Sequence, residues 1–463
     1  MDSTKHYDAI VIGAGQGGGP LAGAFAKAGR RTLLVERSHV GGTCVNEGCT
    51  PTKTMIASGR VAHLARRGLD YGVLTGEITI DLARVRERKR AIVTSFREGS
   101  ERALATAGVE VEFGHARFVA PRTIEIEAAS GARITATADI VVINTGLRSL
   151  VPDIPGIADV ATLDSTSIME LDSAPEHLIV LGGGYVGLEF AQLFRRFGSR
   201  VTVVHRGAQL LPREDADIAA AVAGILKQDD IDVCLGATTT AVARTASGGV
   251  RLTVTTRDAS TPLEIAGSHL LLAVGRRANT DDLGVEHAGI ELDTHGFIKA
   301  TPRLETTAEG VYVIGDAKGG PAFTHISYDD YRILRANLLH HGDASTDGRL
   351  LPYTVFIDPQ LGRVGMTEAD ARAAGFDVRV ATMPMSHVAR ALEMDESRGI
   401  MKAVVDGATG QILGAAVLGI EGGEVATFFQ LAIMGGLPYT TLRDAVFSHP
   451  TLAESLNNLF AKM

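Results

Sequence analysis

The sequence predicts an α/β fold in which two Rossmann-like units precede a C-terminal α+β domain. Three observations support this prediction. A pattern of strand, glycine turn, helix and strand occurs twice, over residues 7–36 and 177–204. After about Gly348, strands and helices continue without another such turn. The chain length of 463 residues corresponds to about three domains at roughly 150 residues each.

The first unit opens with a short apolar run, Tyr7–Ile12, that is typical of a buried strand. A GxGxxG turn follows, with its glycines at Gly13, Gly15 and Gly18, and then an alanine-rich helix. The second strand ends at Glu36, about 20 residues beyond the turn. Strand, glycine turn, helix, strand and acid together indicate a dinucleotide site, in which the acid accepts a hydrogen bond from a ribose hydroxyl.

The second unit repeats this pattern. The strand His177–Leu181 leads into a turn with glycines at Gly182, Gly184 and Gly187, followed by an apolar helix and another strand. A glycine turn at a helix N-terminus lets the backbone approach a pyrophosphate. Two such units imply two bound dinucleotides.

The second unit has no acid where its second strand ends, because His205 and Arg206 stand there. A carboxylate at this place would repel a ribose 2′-phosphate, whereas cationic side chains bind one. Arg213 is a further candidate. The residues therefore favour NADPH, with NADH possible if His205 and Arg206 only form a solvated basic turn.

Cys44 and Cys49 are two of the three cysteines in the chain, with four residues between them. A disulfide between them requires a sharp bend, which Gly48 permits. Pro51 favours a helix start that would place Cys49 at a helix N-terminus, where the pKa of a thiol falls. The alternative is a pair of unconnected buried thiols.

The run from Gly41 to Lys53, GGTCVNEGCTPTK, resembles the redox site of the FAD-dependent pyridine nucleotide–disulfide oxidoreductases. That family includes dihydrolipoamide dehydrogenase, glutathione reductase and mercuric reductase. The resemblance implies FAD in the first unit and the nicotinamide nucleotide in the second. It also implies that electrons pass from NADPH through FAD to a Cys44–Cys49 disulfide and then to a disulfide substrate.

The resemblance also assigns roles to single residues. Lys53 and Glu189 would form an ion pair beside the flavin, and Asp316 would hold the ribitol of FAD. His449 and Glu454, in the tail run HPTLAE, would form an acid–base pair that serves the disulfide of the other subunit in a homodimer. Further cofactor contacts would come from Gly42, Thr43, Thr145, Gly146, Gly275 and Gly315.

The same resemblance sets the expected domain limits. Residues 1–150 and 276–347 would form the FAD domain, residues 151–275 the NAD(P)H domain and residues 348–463 the dimerisation domain.

Segment 322–326, AFTHI, departs from the alanine-rich segment of most relatives. His325 would either tune the flavin or substrate, or merely start a helix. Tyr328–Arg332 and Gly436–Tyr439 resemble the reactive-chlorine-resistance flavoproteins of the family.

Two other functions stay open. The dithiol is suited to reducing Cu(II) or Hg(II), in an oxidative-stress or metal-resistance role. A dedicated mercuric reductase is disfavoured, because the chain has no cysteine after Cys234 and keeps the tail histidine. A flavin-binding sensor without turnover is disfavoured by the acid–base tail.

Composition narrows the partners and the compartment. A net charge of −9 argues against nucleic acid or an anionic membrane as a partner. No apolar run reaches the ~18 residues of a membrane span, and the N-terminus shows no apolar signal core. Three cysteines suit a reducing cytoplasm. We therefore expect a cytoplasmic homodimer that acts on a small disulfide, thiol or metal ion.

Overall fold

A computed structural model describes residues 4–128, 130–256 and 261–463. The chain divides into two compact units, each assembled from three segments. Unit 1 comprises Met1–Met55, Ala83–Leu150 and Gly275–Arg349, and unit 2 comprises Ile56–Leu82, Val151–Val274 and Leu350–Met463.

The strands, numbered in chain order, are β1 (Lys5–Ile12), β2 (Thr32–Glu36), β3 (Glu110–Ala120), β4 (Thr123–Ala128), β5 (Arg133–Ile143), β6 (Leu147–Ser149), β7 (Thr162–Leu163), β8 (His177–Leu181), β9 (Arg200–Val204), β10 (Ile231–Cys234), β11 (Ala237–Arg244), β12 (Val250–Thr256), β13 (Leu263–Gly267), β14 (His269–Leu272), β15 (Arg276–Ala278), β16 (Val311–Val313), β17 (Tyr353–Val355), β18 (Gln360–Gly365), β19 (Val378–Pro384), β20 (Ile400–Asp406) and β21 (Ile412–Gly419).

The α-helices are α1 (Gly18–Lys27), α2 (Gly42–Asn46), α3 (Cys49–Arg66), α4 (Leu82–Ala107), α5 (Tyr185–Arg196), α6 (Ala216–Gln228), α7 (Thr324–His340), α8 (Glu368–Ala373), α9 (Ala389–Glu393), α10 (Gly422–Met434), α11 (Tyr439–Asp444) and α12 (Ser455–Phe460). None of the helices in the described residues is both long and apolar enough to cross a bilayer.

Unit 1 is built on a parallel sheet with the strand order β3-β2-β1-β5-β16. Beyond this sheet, β3, β4 and β5 continue as an antiparallel meander. Residues 9–12 of β1 are fully buried, as expected for a central parallel strand covered on both faces. The carboxyl ends of β1 and β2 therefore meet at one edge, where Gly13 and Glu36 lie.

Unit 2 contains a parallel sheet with the order β10-β9-β8-β14-β7 and an antiparallel sheet β11-β12-β13. Its C-terminal part is an antiparallel sheet, β17-β18-β21-β20-β19, with α10 packed against β18 and β21. A separate apolar core around Met401, Val417 and Phe429 holds this part together. The predicted fold class, two Rossmann-like parts and a C-terminal α+β part, is confirmed.

Candidate active site

The first glycine turn lies between β1 and α1 and is closely packed. Gly13 has φ +103°, and a Cβ there would lie 2.4 Å from the Asn144 carbonyl oxygen. A Cβ on Gly18 would lie 2.2 Å from the Gly13 carbonyl oxygen. A Cβ on Gly15 would lie 2.8 Å from the side-chain amide nitrogen of Asn144. Side chains would therefore distort this turn at all three predicted glycines.

Glu36 ends β2 beside this turn and is buried. Its carboxylate accepts hydrogen bonds from the backbone amides of Ala14 (2.8 Å) and Ser38 (2.9 Å). Because each carboxylate oxygen has two acceptor positions, the group retains capacity for a ribose hydroxyl.

The edge formed by β5 and β16 suits a large polar cofactor. The Thr145 hydroxyl is buried with no hydrogen-bond partner among the described residues, and burial raises the pKa of the Asp316 carboxyl. Fully buried Asp330 fixes this region by accepting a hydrogen bond from the Gly315 amide at 2.8 Å. An unsatisfied hydroxyl and a desolvated carboxyl beside a glycine cradle fit the ribityl and pyrophosphate parts of FAD.

The remaining cofactor candidates of unit 1 lie on α2 and just before β6 and β15. Gly42 packs on the glycine turn, since a Cβ on it would lie 2.6 Å from the Gly15 Cα. Thr43 follows on α2, Gly146 accepts a hydrogen bond from the Asn279 amide (3.0 Å), and Gly275 accepts one from the Leu150 amide (3.0 Å).

The two thiols lie on consecutive helices of unit 1. Cys44 is on α2, and Cys49 is the first residue of α3, so the predicted helix start is confirmed. The side-chain amide of Asn46, the last residue of α2, donates to the carbonyls of Val40 (3.0 Å) and Gly42 (2.9 Å), while its oxygen accepts from Arg97 (2.8 Å). These bonds hold the helix that carries Cys44.

The environments of the two thiols differ. They are not bonded to each other in this structure; Cys44 is half-buried and Cys49 is exposed. A hydrogen bond with Cys49, reinforced by burial, raises the pKa of the Cys44 thiol. Cys49 Sγ lies 3.5 Å from the Thr324 hydroxyl. Half-buried Lys53 follows one turn later on α3.

The second glycine turn, between β8 and α5, repeats the close packing. A Cβ on Gly182 would lie 2.2 Å from the Ala273 carbonyl oxygen, and one on Gly187 would lie 2.3 Å from the Gly182 carbonyl oxygen. Gly184 faces open space, which leaves the turn accessible to a nucleotide. On α5, buried Glu189 accepts a hydrogen bond from the Phe356 amide (2.9 Å); its pairing with Lys53 stays a prediction.

His205 turns inward after β9. Its Nδ1 accepts a hydrogen bond from the Gly183 amide at 3.1 Å, and burial together with neighbouring Arg206 lowers the pKa of the imidazole. A neutral ring in this position supports the glycine turn and carries no charge toward solvent. Arg206 and Arg213 are exposed.

The tail residues His449 and Glu454 meet as predicted in unit 2. His449 Nδ1 lies 2.9 and 3.1 Å from the two Glu454 carboxylate oxygens. The His449 side chain is 68% exposed, so its ring is accessible from solvent.

Sequence reasoning missed Thr324 and Arg97. Thr324 belongs to the departing segment 322–326, whose pattern pointed to its neighbour His325. In the structure, His325 stacks on Phe323 with ring centroids 5.4 Å apart. Arg97 gave no local signal, because its partner Asn46 is remote in sequence.

The chain was compared with known proteins. Residues 7–330 match the model of the pyridine nucleotide-disulphide oxidoreductases, and residues 351–460 match the dimerisation domain of that family. The chain is 40% identical over 460 residues to the probable pyridine nucleotide-disulfide oxidoreductase RclA of Escherichia coli, covering 98% of this chain and 99% of that protein. A mercuric reductase of Bacillus cereus is 33% identical, over 97% of this chain and 70% of that protein.

A solved structure gives the same result. The Cu(II) complex of the HOCl-induced flavoprotein disulfide reductase RclA from Escherichia coli superposes with a TM-score of 0.90 and 38% identity, covering 100% of both chains. The expected resemblance, including its reactive-chlorine-resistance branch, is confirmed. The chain belongs to the pyridine nucleotide-disulphide oxidoreductases, enzymes that use FAD and NAD(P)H.

Proposed function

We propose that Cys44 and Cys49 are the redox pair of an NADPH-dependent flavoprotein that reduces a disulfide. The observation that carries this proposal is their arrangement: adjacent thiols with different surroundings, one of them the first residue of α3. The helix N-terminus favours a thiolate on Cys49. The raised pKa of Cys44 keeps its proton in place until a base removes it.

Unit 1 would hold FAD on the first glycine turn, with Glu36 toward the ribose and Asp316 toward the ribitol. Residues 151–275 would hold the nicotinamide nucleotide on the second glycine turn. Bound FAD supplies the link through which a hydride from the nicotinamide reduces the disulfide. Lys53 and Glu189 would pair beside it.

Cys44 would act as the attacking thiolate. It would form a mixed disulfide with one sulfur of the substrate and expel the other as a thiolate. Cys49 would then attack the Cys44 sulfur, which releases the second substrate thiolate and restores the Cys44–Cys49 disulfide. The two electrons of the dithiol therefore leave on two substrate thiols.

His449 would manage the protons of this exchange. Its Nδ1–H donates to Glu454 (2.9 Å), which fixes the tautomer and leaves Nε2 to take the proton of Cys44 and return it to a leaving thiolate. We propose that His449 acts in this way on the dithiol of the other subunit.

A homodimer is supported by an apolar face in residues 348–463, the proposed dimerisation domain. Side chains on and after α10 are exposed there: Phe428, Leu431, Met434, Leu437 and Val446. A second copy would cover such a face. We place this dimer in the cytoplasm, where reduced thiols persist.

We assign the preference for NADPH to Arg206 and Arg213. The Leu211 amide donates to the Gly183 carbonyl oxygen (2.9 Å), and this hydrogen bond returns the loop that carries both arginines to the nucleotide turn. His205 would position the turn, because its inward, neutral ring is unsuited to binding a 2′-phosphate.

Reduction of Cu(II) is a second candidate. The similar RclA structure is a Cu(II) complex, and two adjacent cysteines offer the soft sulfur ligands that copper prefers. Hg(II) is the related alternative.

Steady oxidation of NADPH by the purified flavoprotein tests both candidates. It should be followed with lipoamide, glutathione disulfide, quinones, Cu(II), Hg(II) and hypochlorite-derived oxidants. We expect turnover with at least one disulfide and a loss of about 10³-fold or more in Cys44→Ser, because exchange then lacks its nucleophile. Turnover with Cu(II) alone would favour the second candidate, and equal disulfide turnover in Cys44→Ser would reject the dithiol mechanism.

A further inference from the structure

The first residue of α7 touches the thiol centre of unit 1. The Thr324 hydroxyl oxygen lies 3.5 Å from Cys49 Sγ, within the range of a hydrogen bond to sulfur. The same hydroxyl also hydrogen bonds to Cys44, where it opposes the rise in the pKa of that thiol. One side chain from a remote part of the sequence therefore contacts both sulfurs.

The start of α7 leaves this hydroxyl available as a donor. Threonine near a helix start commonly caps the helix by accepting a backbone hydrogen bond. Here the cap position is Phe323, and the helix start has no side-chain cap hydrogen bond. A cap would use only the hydroxyl oxygen, as an acceptor, so the hydroxyl proton of Thr324 can point toward a sulfur whether or not the oxygen accepts a bond.

We propose that Thr324 is a catalytic residue whose hydroxyl donates a hydrogen bond to the Cys49 thiolate and so keeps the negative charge of the reduced pair on Cys49. A hydrogen bond to the charged form of a group favours that form. When the Cys49 thiol ionises, its proton leaves and the hydroxyl proton of Thr324 takes over the contact with sulfur. The inference rests on the proposed role of Cys49 as the thiolate of the pair.

Other ionisable groups near this centre also influence the pKa of Cys49. Cys44 lies on α2, Lys53 one turn after Cys49 on α3, and His325 next to Thr324 on α7. Arg97 of α4 hydrogen bonds to Asn46 at the end of α2. These groups are unchanged in a Thr324 variant, so a comparison of variants isolates the hydroxyl.

The test measures the ionisation of Cys49 directly. In the FAD-loaded Cys44→Ser protein, the rate of Cys49 alkylation by iodoacetamide is followed against pH, with the modified peptide resolved from that of Cys234 by mass spectrometry. Adding Thr324→Val should raise the pKa of Cys49 by about one unit, the equivalent of a single hydrogen bond to a charged group. Thr324→Ser should restore it.

Two controls accompany the measurement. Tyr328→Phe removes a hydroxyl one turn later on α7, where the ring packs on Tyr331 and Arg332, and should leave the pKa of Cys49 unchanged. Thr324→Ala should behave as Thr324→Val does, and it replaces that variant if the valine protein fails to fold.

The outcomes separate the two proposals. Suppose that the pKa of Cys49 is depressed when residue 324 is threonine and stays equally depressed in Thr324→Val or Thr324→Ala. That result would overturn the role of Thr324 alone. If Cys49 titrates like an ordinary thiol, near 8.5, in the presence of Thr324, the thiolate role itself is wrong and this inference fails with it.

Discussion

At the scale of single residues, the thiol centre is asymmetric. Cys49 has the N-terminus of α3 and the Thr324 hydroxyl beside it, whereas burial and the neighbouring sulfur hold the proton on Cys44. The helix N-terminus and the hydroxyl both favour the thiolate form of Cys49, whereas burial and the neighbouring sulfur both disfavour the thiolate form of Cys44. In the proposed mechanism, this difference would give the two cysteines separate tasks: Cys49 would hold the thiolate next to the flavin, and Cys44 would attack the substrate.

This asymmetry predicts opposite spectra for two single variants. Partial reduction of the wild type should produce a long-wavelength charge-transfer band of the Cys49 thiolate with oxidised flavin. Cys49→Ser should lose the band. Cys44→Ser should show it even before reduction, because Cys49 then has no partner for a disulfide and remains a thiolate. Absorbance spectra of the purified yellow proteins suffice, and an exchange of the two phenotypes would reverse the assigned roles.

At the scale of elements, we propose that the turn after β9 decides the preference between NADPH and NADH. The strand ends at Val204, His205 fills space beside Gly183, and the exposed Arg206 stands at the place of the acid found in NAD-type units. Replacing one arginine therefore changes the charge at this place without removing a core contact.

We expect wild type to prefer NADPH and Arg206→Glu to prefer NADH. A charge-assisted hydrogen bond to a 2′-phosphate contributes about 1.5–3 kcal/mol, so the ratio of kcat/KM values should change by at least about tenfold. Arg244→Glu, the same charge change on exposed β11, should leave the ratio as it was. Equal use of both coenzymes by wild type would reduce Arg206 to a surface residue.

Elements of this kind were well predicted because their signals are local. The strand β8 has the bounds expected from its apolar run, and α3 begins at Cys49 as Pro51 indicates. Contacts between remote segments carry no such signal. Thr324 reaches a sulfur on α3, and His205 faces inward because Gly183 leaves space for its ring; neither fact follows from neighbouring residues.

At the scale of the whole molecule, the proposed homodimer makes each dithiol depend on another subunit. His449 is oriented by Glu454 but exposed. This is expected of a base that takes its proton from a Cys44 thiol on a different chain. Each dimer would then contain two shared sites.

Subunit mixing tests this sharing. His449→Ala should slow disulfide reduction by about 10²–10⁴-fold and should retain flavin reduction by NADPH. Cys44→Ser should be inactive toward disulfides as well. Dissociating and reassociating the two variants together should restore up to about a quarter of wild-type activity, because half of randomly paired dimers are mixed and each has one intact site.

The control is each variant reassociated with itself, which should stay inactive. Mixed dimers that form but show no recovered activity would mean that His449 does not serve a partner subunit.

The segmented composition of unit 1 has a consequence for biosynthesis. Its sheet joins β1 to β5 and β5 to β16, yet β5 ends at Ile143 and β16 begins at Val311. Translation proceeds at ~5–20 residues per second, so roughly ten seconds or longer pass between the synthesis of β5 and that of β16. During this time one edge of β5 has no neighbouring strand. An unpaired strand edge invites pairing with other chains. A nascent or truncated chain that stops before Val311 therefore leaves the aggregation-prone edge of this sheet open, even though both thiols have long since been made.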